Sequence, residues 1–296
     1  MAKAFVIAET ENGARELCAG ARSIADGVVL CIAGAPAVTG VADSCVHIDV
    51  PAGNVVDDAY ASVIKAFDAS GADVVLAEQT LHALSLVGRL AAAKGAAAIA
   101  GVTELDGDVA SSMYFGGTGV RTAKPATDVK IYTVVAGTFD AAAATGTDAV
   151  EEVAFEAPAA AVVKTGSEAL PPASVDLAGA DAVVACGRGF QAEEDLQFAR
   201  DLAAKIGAEV GCSRPLSEGV TWFPREAYVG VSGQMISPKI YFAIGVSGQM
   251  QHMVGCAGAG TVVAINKDKN APVFKQCDYG FVGDLKTVLP ELIAAL

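Results

Sequence analysis

Near its carboxyl end the chain writes nearly the same loop twice, YVGVSGQM from Tyr228 to Met235 and AIGVSGQM from Ala243 to Met250, and His252 stands just after the second copy. In each copy a short apolar run (Tyr228 and Val229; Tyr241 to Ile244) enters Gly-Val-Ser-Gly, the pattern of a buried strand that turns sharply at its carboxyl end. Glycines at such a turn let backbone N–H groups converge on an anion, and the serine hydroxyl adds another donor. Taken singly, either copy reads equally well as an ordinary strand-to-helix turn. Two copies fifteen residues apart, Gly230 to Gly245, with polar residues clustered about them, point to a nucleotide.

Other candidates stand where strands should end in the last third of the chain. Arg188, in Gly187-Arg188-Gly189, and Arg214, after Cys212-Ser213, can meet phosphates or an anionic ring in forked geometry. Ser213, Ser232, Ser247, Gln249 and Gln251 can bond ribitol or base edges, and Asn266 and Asp278 can hold ribose hydroxyls. Val229, Gly230, Val231, Gly248, Met250 and Tyr279 complete the expected set of cofactor contacts. No nucleophile stands with a base: the Ser-Gly pairs are not GxSxG elbows, and three histidines give no legible Ser-His-Asp set. A dinucleotide cofactor without a catalytic apparatus implies electron transfer.

These loops need a scaffold, and 296 residues can supply two domains, each with its own core. The composition is 53% hydrophobic, mostly alanine and valine, but charge, glycine or proline breaks every stretch before it reaches the roughly 18 to 20 apolar residues of a membrane span. The opening MAKAFVIAETENG fits a first strand and no cleavable signal, so a cytoplasmic location is expected. Seven cysteines without a CxxC or a cysteine-histidine spacing imply neither a disulfide framework nor a metal site. A net charge of −14 argues against nucleic acid and anionic membrane surfaces as partners.

Residues 1 to about 150 alternate strand-like runs (Ala4 to Ala8, Val28 to Ala33, Val74 to Ala77, Ile131 to Ala136) with helical periods, clearest over Asp57 to Ala69 and Leu81 to Lys94. That alternation predicts a parallel sheet covered on both faces. From Glu151 to Gly179 the character changes, with Pro158 and the pair Pro171-Pro172, and a boundary is expected near residue 170. The domains are therefore 1–169 and 170–296, the second a Rossmann-like α/β unit with ligand loops at its strand ends. Within it Asp181 to Phe190, a strand followed by a Gly-Arg-Gly turn, should lead to an amphipathic helix buried through Leu196, Ala199, Leu202, Ala203 and Ile206 and stopped by Gly207. Strands are expected at Tyr241 to Ile244 and Thr261 to Ile265. A last helix should run from Leu285 to Ala295, kinked or starting late because of Pro290. Lys267, Asp268, Lys269 and Asn270 read as a solvated turn, His47, His82 and Tyr114 to Gly117 as structural residues or subunit contacts, and Gly116 to Arg121 (GGTGVR) as a candidate phosphate loop.

GRGF, VGCSRP, YVGVSGQM, GVSGQMQHMVG (Gly245 to Gly255), AINKDKNAPVF (Ala264 to Phe274) and DYGFVGDL (Asp278 to Leu285) come in an order and spacing that resembles the alpha subunit of electron transfer flavoprotein. The likeness covers residues 181 to 296, while the first domain resembles the family in layout. CSRP and QHMVG look like the Fix-type branch, associated with anaerobic acyl-CoA reduction or low-potential electron supply.

The resemblance implies a heterodimer with a beta subunit, FAD bound mainly by the second domain, and an N-terminal domain that contacts the beta subunit. It places Arg214 against the isoalloxazine, Ser232 near N5 where the commoner family residue is threonine, and His252 at the pyrimidine carbonyl. Ser247 and Gln251 would hold the ribityl and phosphate region, Asn266 and Asp278 the adenosine half, and Arg188 a further part of FAD. Cys212 stands where the family has a small alanine, as an inert residue or one close enough to tune the flavin. A cation over the ring and a donor at the pyrimidine favour negative charge there and raise the reduction potential; a protonated His252 would make that potential depend on pH.

The implied function is electron shuttling between acyl-CoA dehydrogenase-type or other flavoprotein partners and a reductase or quinone partner, with the second domain swivelling on the linker near residue 170. The alternatives are an FAD-containing subunit of an electron-bifurcating or acyl-CoA-reductase complex using NADH, a self-contained flavin oxidoreductase, and a nucleotide-binding regulatory module.

Overall fold

The computed structural model describes residues 2–147, 149–168 and 175–296. The chain divides into two compact units, Met1–Phe115 with Gly119–Ala169 and Gly116–Thr118 with Leu170–Leu296. The boundary expected near residue 170, with Pro171 and Pro172, falls outside the described residues.

Among the described residues the first unit forms one sheet of β1 (Lys3–Ala8), β2 (Gly27–Ala33), β3 (Ser44–Ile48), β4 (Val74–Glu78), β5 (Ala97–Asp106), β6 (Val109–Tyr114), β7 (Gly119–Ala123), β8 (Lys130–Val134) and β9 (Ala149–Glu152). Its order is β7-β6-β5-β8-β4-β1-β2-β3-β9, parallel except where β6 pairs antiparallel with β5 and β7. Successive side chains of a strand point to opposite faces. Ala4, Val6 and Ala8 of β1 accordingly pack with Leu17 and Cys18 of α1 (Glu11–Ala21). Phe5 and Ile7 pack with Phe67 of α2 (Tyr60–Ser70) and Leu86 and Leu90 of α3 (Leu81–Lys94). Phe5 meets Phe67 edge to face at 5.6 Å. Each large side chain buried in this way contributes about 1.5–3 kcal/mol, and cover on both faces is why the strands read as unbroken apolar runs.

Two elements differ from expectation. The helix predicted from Asp57 begins as a short 3₁₀ turn, Val56–Ala59, and becomes α-helical only at Tyr60. Asp57 and Asp58 are engaged elsewhere: Asp57 bonds His82 at 2.7 Å, and Asp58 accepts the Val162 N–H at 2.7 Å. The strand predicted to Ala136 stops at Val134, because the chain turns at Gly137 and Thr138 N–H returns to the Val135 carbonyl. Gly116 to Arg121 is the turn after β6 and the start of β7. His47 is held between Glu152 and the Ala35 carbonyl.

At the carboxyl ends of β1 and β4 the first unit carries an internal anion. The half-buried Glu78 accepts the Glu9 N–H at 2.7 Å, the Thr10 N–H at 3.0 Å and the Thr10 hydroxyl at 2.6 Å. Thr10 in turn caps α1 by accepting the Gly13 N–H at 3.0 Å. A Cβ on Gly13 would stand 2.3 Å from the Glu78 carboxyl carbon, so the carboxylate seats only against a glycine.

The second unit is a five-stranded parallel sheet of order β11-β10-β12-β13-β14. Its elements in chain order are β10 (Ala182–Cys186), α4 (Leu196–Ile206), β11 (Glu209–Cys212), β12 (Ile240–Ile244), α5 (Met250–Met253), β13 (Val262–Asn266), β14 (Tyr279–Val282) and α6 (Leu285–Ala295). Val184, Cys186, Phe242 and Ile244 pack with α4 and α6 on one face. Val183, Ala185, Tyr241 and Ala243 pack on the other with Met253, Cys256 and Val273. α6 starts at Leu285 with Pro290 inside it, where a late start was an alternative; the Asp284 carboxylate accepts the Lys286 N–H at 2.9 Å and fixes the start ahead of the proline.

Tyr228 and Val229 do not form the strand expected of them. They make isolated bridges to Cys212 and Gln234, because Gln234 N–H returns to the Tyr228 carbonyl at 2.7 Å and folds the first GVSGQM copy on itself.

Glu78→Ala removes the acceptor of three donors, two of them backbone. The expected loss is about 2 kcal/mol of stability in the first unit, read as a lowered urea midpoint with faster amide exchange in the first turn of α1. An unchanged midpoint and unchanged protection would contradict this account.

Candidate functional site

All five strands of the second unit run the same way, so their carboxyl ends share one edge. The chain leaves β10 for β11 on one side, and β12 stands on the other side of β10. Connections that diverge from neighbouring strands open a crevice at that point. At its base two backbones meet: Gly187 N–H bonds the Ile244 carbonyl at 2.8 Å and Gly189 N–H the Gly245 carbonyl at 3.0 Å. A Cβ on Gly187 would stand 2.3 Å from the Gly245 oxygen, one on Gly189 2.5 Å from the Gly245 Cα, and Gly245 itself has φ +63.

Above this base lies a cleft of about 790 Å³, within the range of small-molecule and cofactor sites. Of the residues expected at the cofactor, Arg188, Ser213, Arg214, Val231, Ser232, Ser247, Gln249, Met250, Gln251, His252 and Asn266 line it. They come from the ends of β10, β11, β12 and β13 and from the first GVSGQM copy, which the Val231 N–H ties to the Gln251 carbonyl at 2.8 Å. The two copies thus converge on one cleft, although only the second follows a strand.

Charge distinguishes the cleft from the rest of the molecule. Arg188, Arg214 and Lys267 face it against two carboxylates, Asp268 and Asp284, in a chain of net charge −14. Arg214 gives its Nε to Glu218 at 2.6 Å, one turn on, which leaves its Nη groups as donors. That carboxylate raises the guanidinium pKa further. Ser232 shares a hydrogen bond of 3.1 Å with the Tyr228 hydroxyl.

Asn266 uses both ends of its amide on protein. Nδ2 donates to the Val246 carbonyl at 2.8 Å and Oδ1 accepts the Asp268 N–H at 2.9 Å, so it clamps two cleft loops together.

His252 is 7% exposed, with Nε2 2.8 Å from the Tyr241 hydroxyl. Burial pulls its pKa down to about 4, opposed by the Val229 carbonyl. That carbonyl falls short of hydrogen-bond geometry, and Nδ1 is left without a partner among the described residues. The imidazole as folded is therefore neutral at pH 7, whereas the protonated His252 considered from the sequence was tied to an anionic ring beside it.

Several expected residues stand elsewhere. Val229 is wholly buried beneath the loop, Gly230 supports it from behind, and Gly248 packs by its backbone beside Val273, with its carbonyl accepting Gln276 Nε2 at 2.9 Å. Asp278 lies at the amino edge of the sheet, where it accepts the Val262 N–H at 2.8 Å at the start of β13. Tyr279 opens β14 at that edge and lines a separate apolar groove with Phe281 and Leu292. A contact from Asp278 or Tyr279 to a ligand in the cleft does not fit this placement. At the other end of the strand, β14 stops at Val282 and the residues after it, Gly283 and Asp284, reach the cleft, a placement that the strand's direction could have signalled. Lys267 and Asp268, read as a solvated turn, also line it. Cys212 does not; burial pushes its thiol up to about 12, so it behaves as a small neutral core residue.

Glycines at the base, two arginines and a lysine, serine and glutamine donors and one unsatisfied imidazole nitrogen fit an anionic dinucleotide with a polar ring. No group of His, Cys, Asp and Glu that could hold a metal occurs among the described residues, and no described helix is long and apolar enough to cross a membrane.

Comparison with known proteins gives two domain matches, an electron transfer flavoprotein domain over residues 5–160 and an electron transfer flavoprotein FAD-binding domain over residues 176–257. The chain is also similar to the proteins named FixB of Escherichia coli O139:H28 (strain E24377A / ETEC), O9:H4 (strain HS) and K12 / DH10B. Each is 46% identical over 186 residues, which is 62% of this chain and 59% of the relative. The matched region thus spans about three fifths of the length of these relatives.

The neutral His252 carries a pH signature. Unfolded, it takes a proton near pH 6.5, and folded only near 4, so between these values the unfolded state binds more protons. Its contribution is complete above pH 6.5 and is lost as pH falls towards 4, to a total on the order of 3 kcal/mol. His252→Asn should flatten that part of the stability profile measured in urea from pH 7 to 4. Parallel profiles for the two proteins would refute a buried neutral imidazole.

Proposed function

Since the chain belongs to the electron transfer flavoprotein family and carries its FAD-binding domain, we propose that it is the FAD-holding alpha subunit of a heterodimeric electron carrier. Its partners by this reading are a beta subunit and flavoprotein dehydrogenases of the acyl-CoA type, with a reductase or quinone partner, in a cytoplasmic setting. The observation that carries it is the cleft at the β10 and β12 ends, lined by Arg188, Arg214 and Lys267 against Asp268 and Asp284 in an acidic chain, with Gly189 and Gly245 at its base.

FAD, when bound, supplies one- and two-electron chemistry; the chain's residues bind it, orient it and set its charge. Arg188 and the Nη groups of Arg214 supply positive charge for phosphate or the pyrimidine end of the ring. Ser232 and His252 offer neutral donors to ring heteroatoms. Ser213, Ser247, Gln249 and Gln251 line the remainder, and Val231 and Met250 give apolar contact. Asn266, by clamping the Val246 and Asp268 loops, keeps the cleft open at a fixed width. Nothing in the cleft pairs a nucleophile with a base, which favours transfer of electrons through an exposed ring edge over bond chemistry.

Co-expression with a beta subunit and a count of flavin per heterodimer tests this reading. One FAD retained by this chain is expected, and Arg188→Ala and Arg214→Ala should each weaken its retention about tenfold or more, as removal of a charge-assisted bond does. Two FAD per heterodimer with separate reduction steps would move the assignment to the bifurcating alternative, and a colourless complex that takes up no added FAD would dismiss a flavoprotein.

A further inference from the structure

We propose that Tyr241 is a positioning residue for the cofactor cleft: by donating its hydroxyl proton to Nε2 of His252, it holds the imidazole in the tautomer whose proton is on Nδ1. This rests on the FAD reading only for its consequence; the tautomer itself is a property of the chain.

Tyr241 lies in the middle of the core, wholly buried at the start of β12, and its ring packs beside that of His252 with centroids 6.2 Å apart. The 2.8 Å contact between its hydroxyl and Nε2 is buried on both sides. A neutral imidazole has one donor and one acceptor nitrogen, and the group bonded to one fixes the state of the other.

The alternatives for that proton are poorer. Cys256 stands within reach of the same hydroxyl, but sulfur is a weak acceptor, and its S–H turns to the Met253 carbonyl at 3.4 Å. The Val229 carbonyl lies near the ring but outside hydrogen-bond geometry, so it does not fix the proton, and among the described residues Tyr241 is the hydrogen-bonded partner of the ring nitrogens. The titratable neighbours are the thiols of Cys186, Cys212 and Cys256 about Tyr241, with Tyr228, Arg188, Arg214, Lys267, Asp268 and Asp284 sharing the cleft with His252. Burial raises Tyr241 well above its ordinary range, so the hydroxyl keeps its proton.

The consequence for binding is directional. The Nδ1–H has no hydrogen-bonded acceptor among the described residues and is itself buried, so it is a spare donor that a ligand oxygen reaches once the ring turns towards the cleft, and it is closed to a ligand donor. A carbonyl on a conjugated ring, gaining negative charge when the ring is reduced, is the class of acceptor it suits, and a buried neutral donor strengthens as that charge grows.

The full chain has three histidines, His47, His82 and His252, so labelling histidine with ¹⁵N gives three imidazoles, the third assigned by its loss in His252→Gln. In the wild-type chain without FAD, His252 should show the Nδ1–H tautomer alone. In Tyr241→Phe its preference should fall by about fivefold to tenfold, the scale of one neutral hydrogen bond, and its titration should move to higher pH. Unchanged fluorescence of Trp222, the one tryptophan of the sequence and packed against the core of the second unit, serves as the control for folding. With FAD bound, the variant should show a lowered reduction potential. A wild-type imidazole protonated on Nε2, or a Tyr241→Phe imidazole that keeps a single Nδ1–H tautomer, overturns the proposal. A tautomer shift in a chain that takes up no FAD sinks the cofactor reading and leaves the positioning role standing.

Discussion

The second unit is organised about the contact between two turns. Where β10 and β12 end, Gly187 and Gly189 press their backbones against Ile244 and Gly245 at hydrogen-bond distance, in space that no Cβ could share. The loops above can diverge from this seam only because nothing occupies it. Arg188 is carried out between the two glycines, Ser213 and Arg214 come from β11 beside it, and the loop after Gly245 brings Ser247 to His252 back across the top. The charge and shape of the cleft follow from backbone contact below it.

Charge is placed in that cleft with restraint. The guanidinium of Arg214 is steadied by Glu218 through Nε, and His252 is kept neutral by burial. The permanent cations therefore stand at the exposed rim, where solvent reduces the cost of charge, while the deep polar group is uncharged. An ion at the depth of His252 would carry a desolvation cost that the neutral ring avoids.

Much of this was legible in the sequence, and the failures have physical causes. β1, β2, β10, β12 and α3 follow from unbroken apolar runs and helical periods, signals that tertiary context reinforces. The repeated GVSGQM located the cleft, yet its two copies fold differently: the second is launched from a paired strand, while the first has only Tyr228 and Val229 before the glycine and closes on its own carbonyls. Identical residues could not reveal that difference, because it lies in the pairing available upstream. Asp278 was misplaced because a strand's amino and carboxyl ends look alike in a short motif; only the register of β14 against β13 shows that Asp284, not Asp278, reaches the cleft. Asn266 lines the cleft, but its amide is engaged by protein in a way the motif does not show, since the carbonyl that claims it belongs to a loop twenty residues away.

The Glu78 carboxylate in the first unit has a consequence in time. Its partners, the Glu9 and Thr10 amides, begin α1, and they lie 69 and 68 positions earlier in the chain. Thr10 can cap α1 locally, but the turn that leads into it is not complete until β4 has been made and has docked beside β1. On a ribosome delivering about 5–20 residues each second, that is a delay of some seconds during which the first strand and helix exist without their anchor. The turn between β1 and α1 is thus synthesised well before it can be fixed, the behaviour of a high-contact-order pairing.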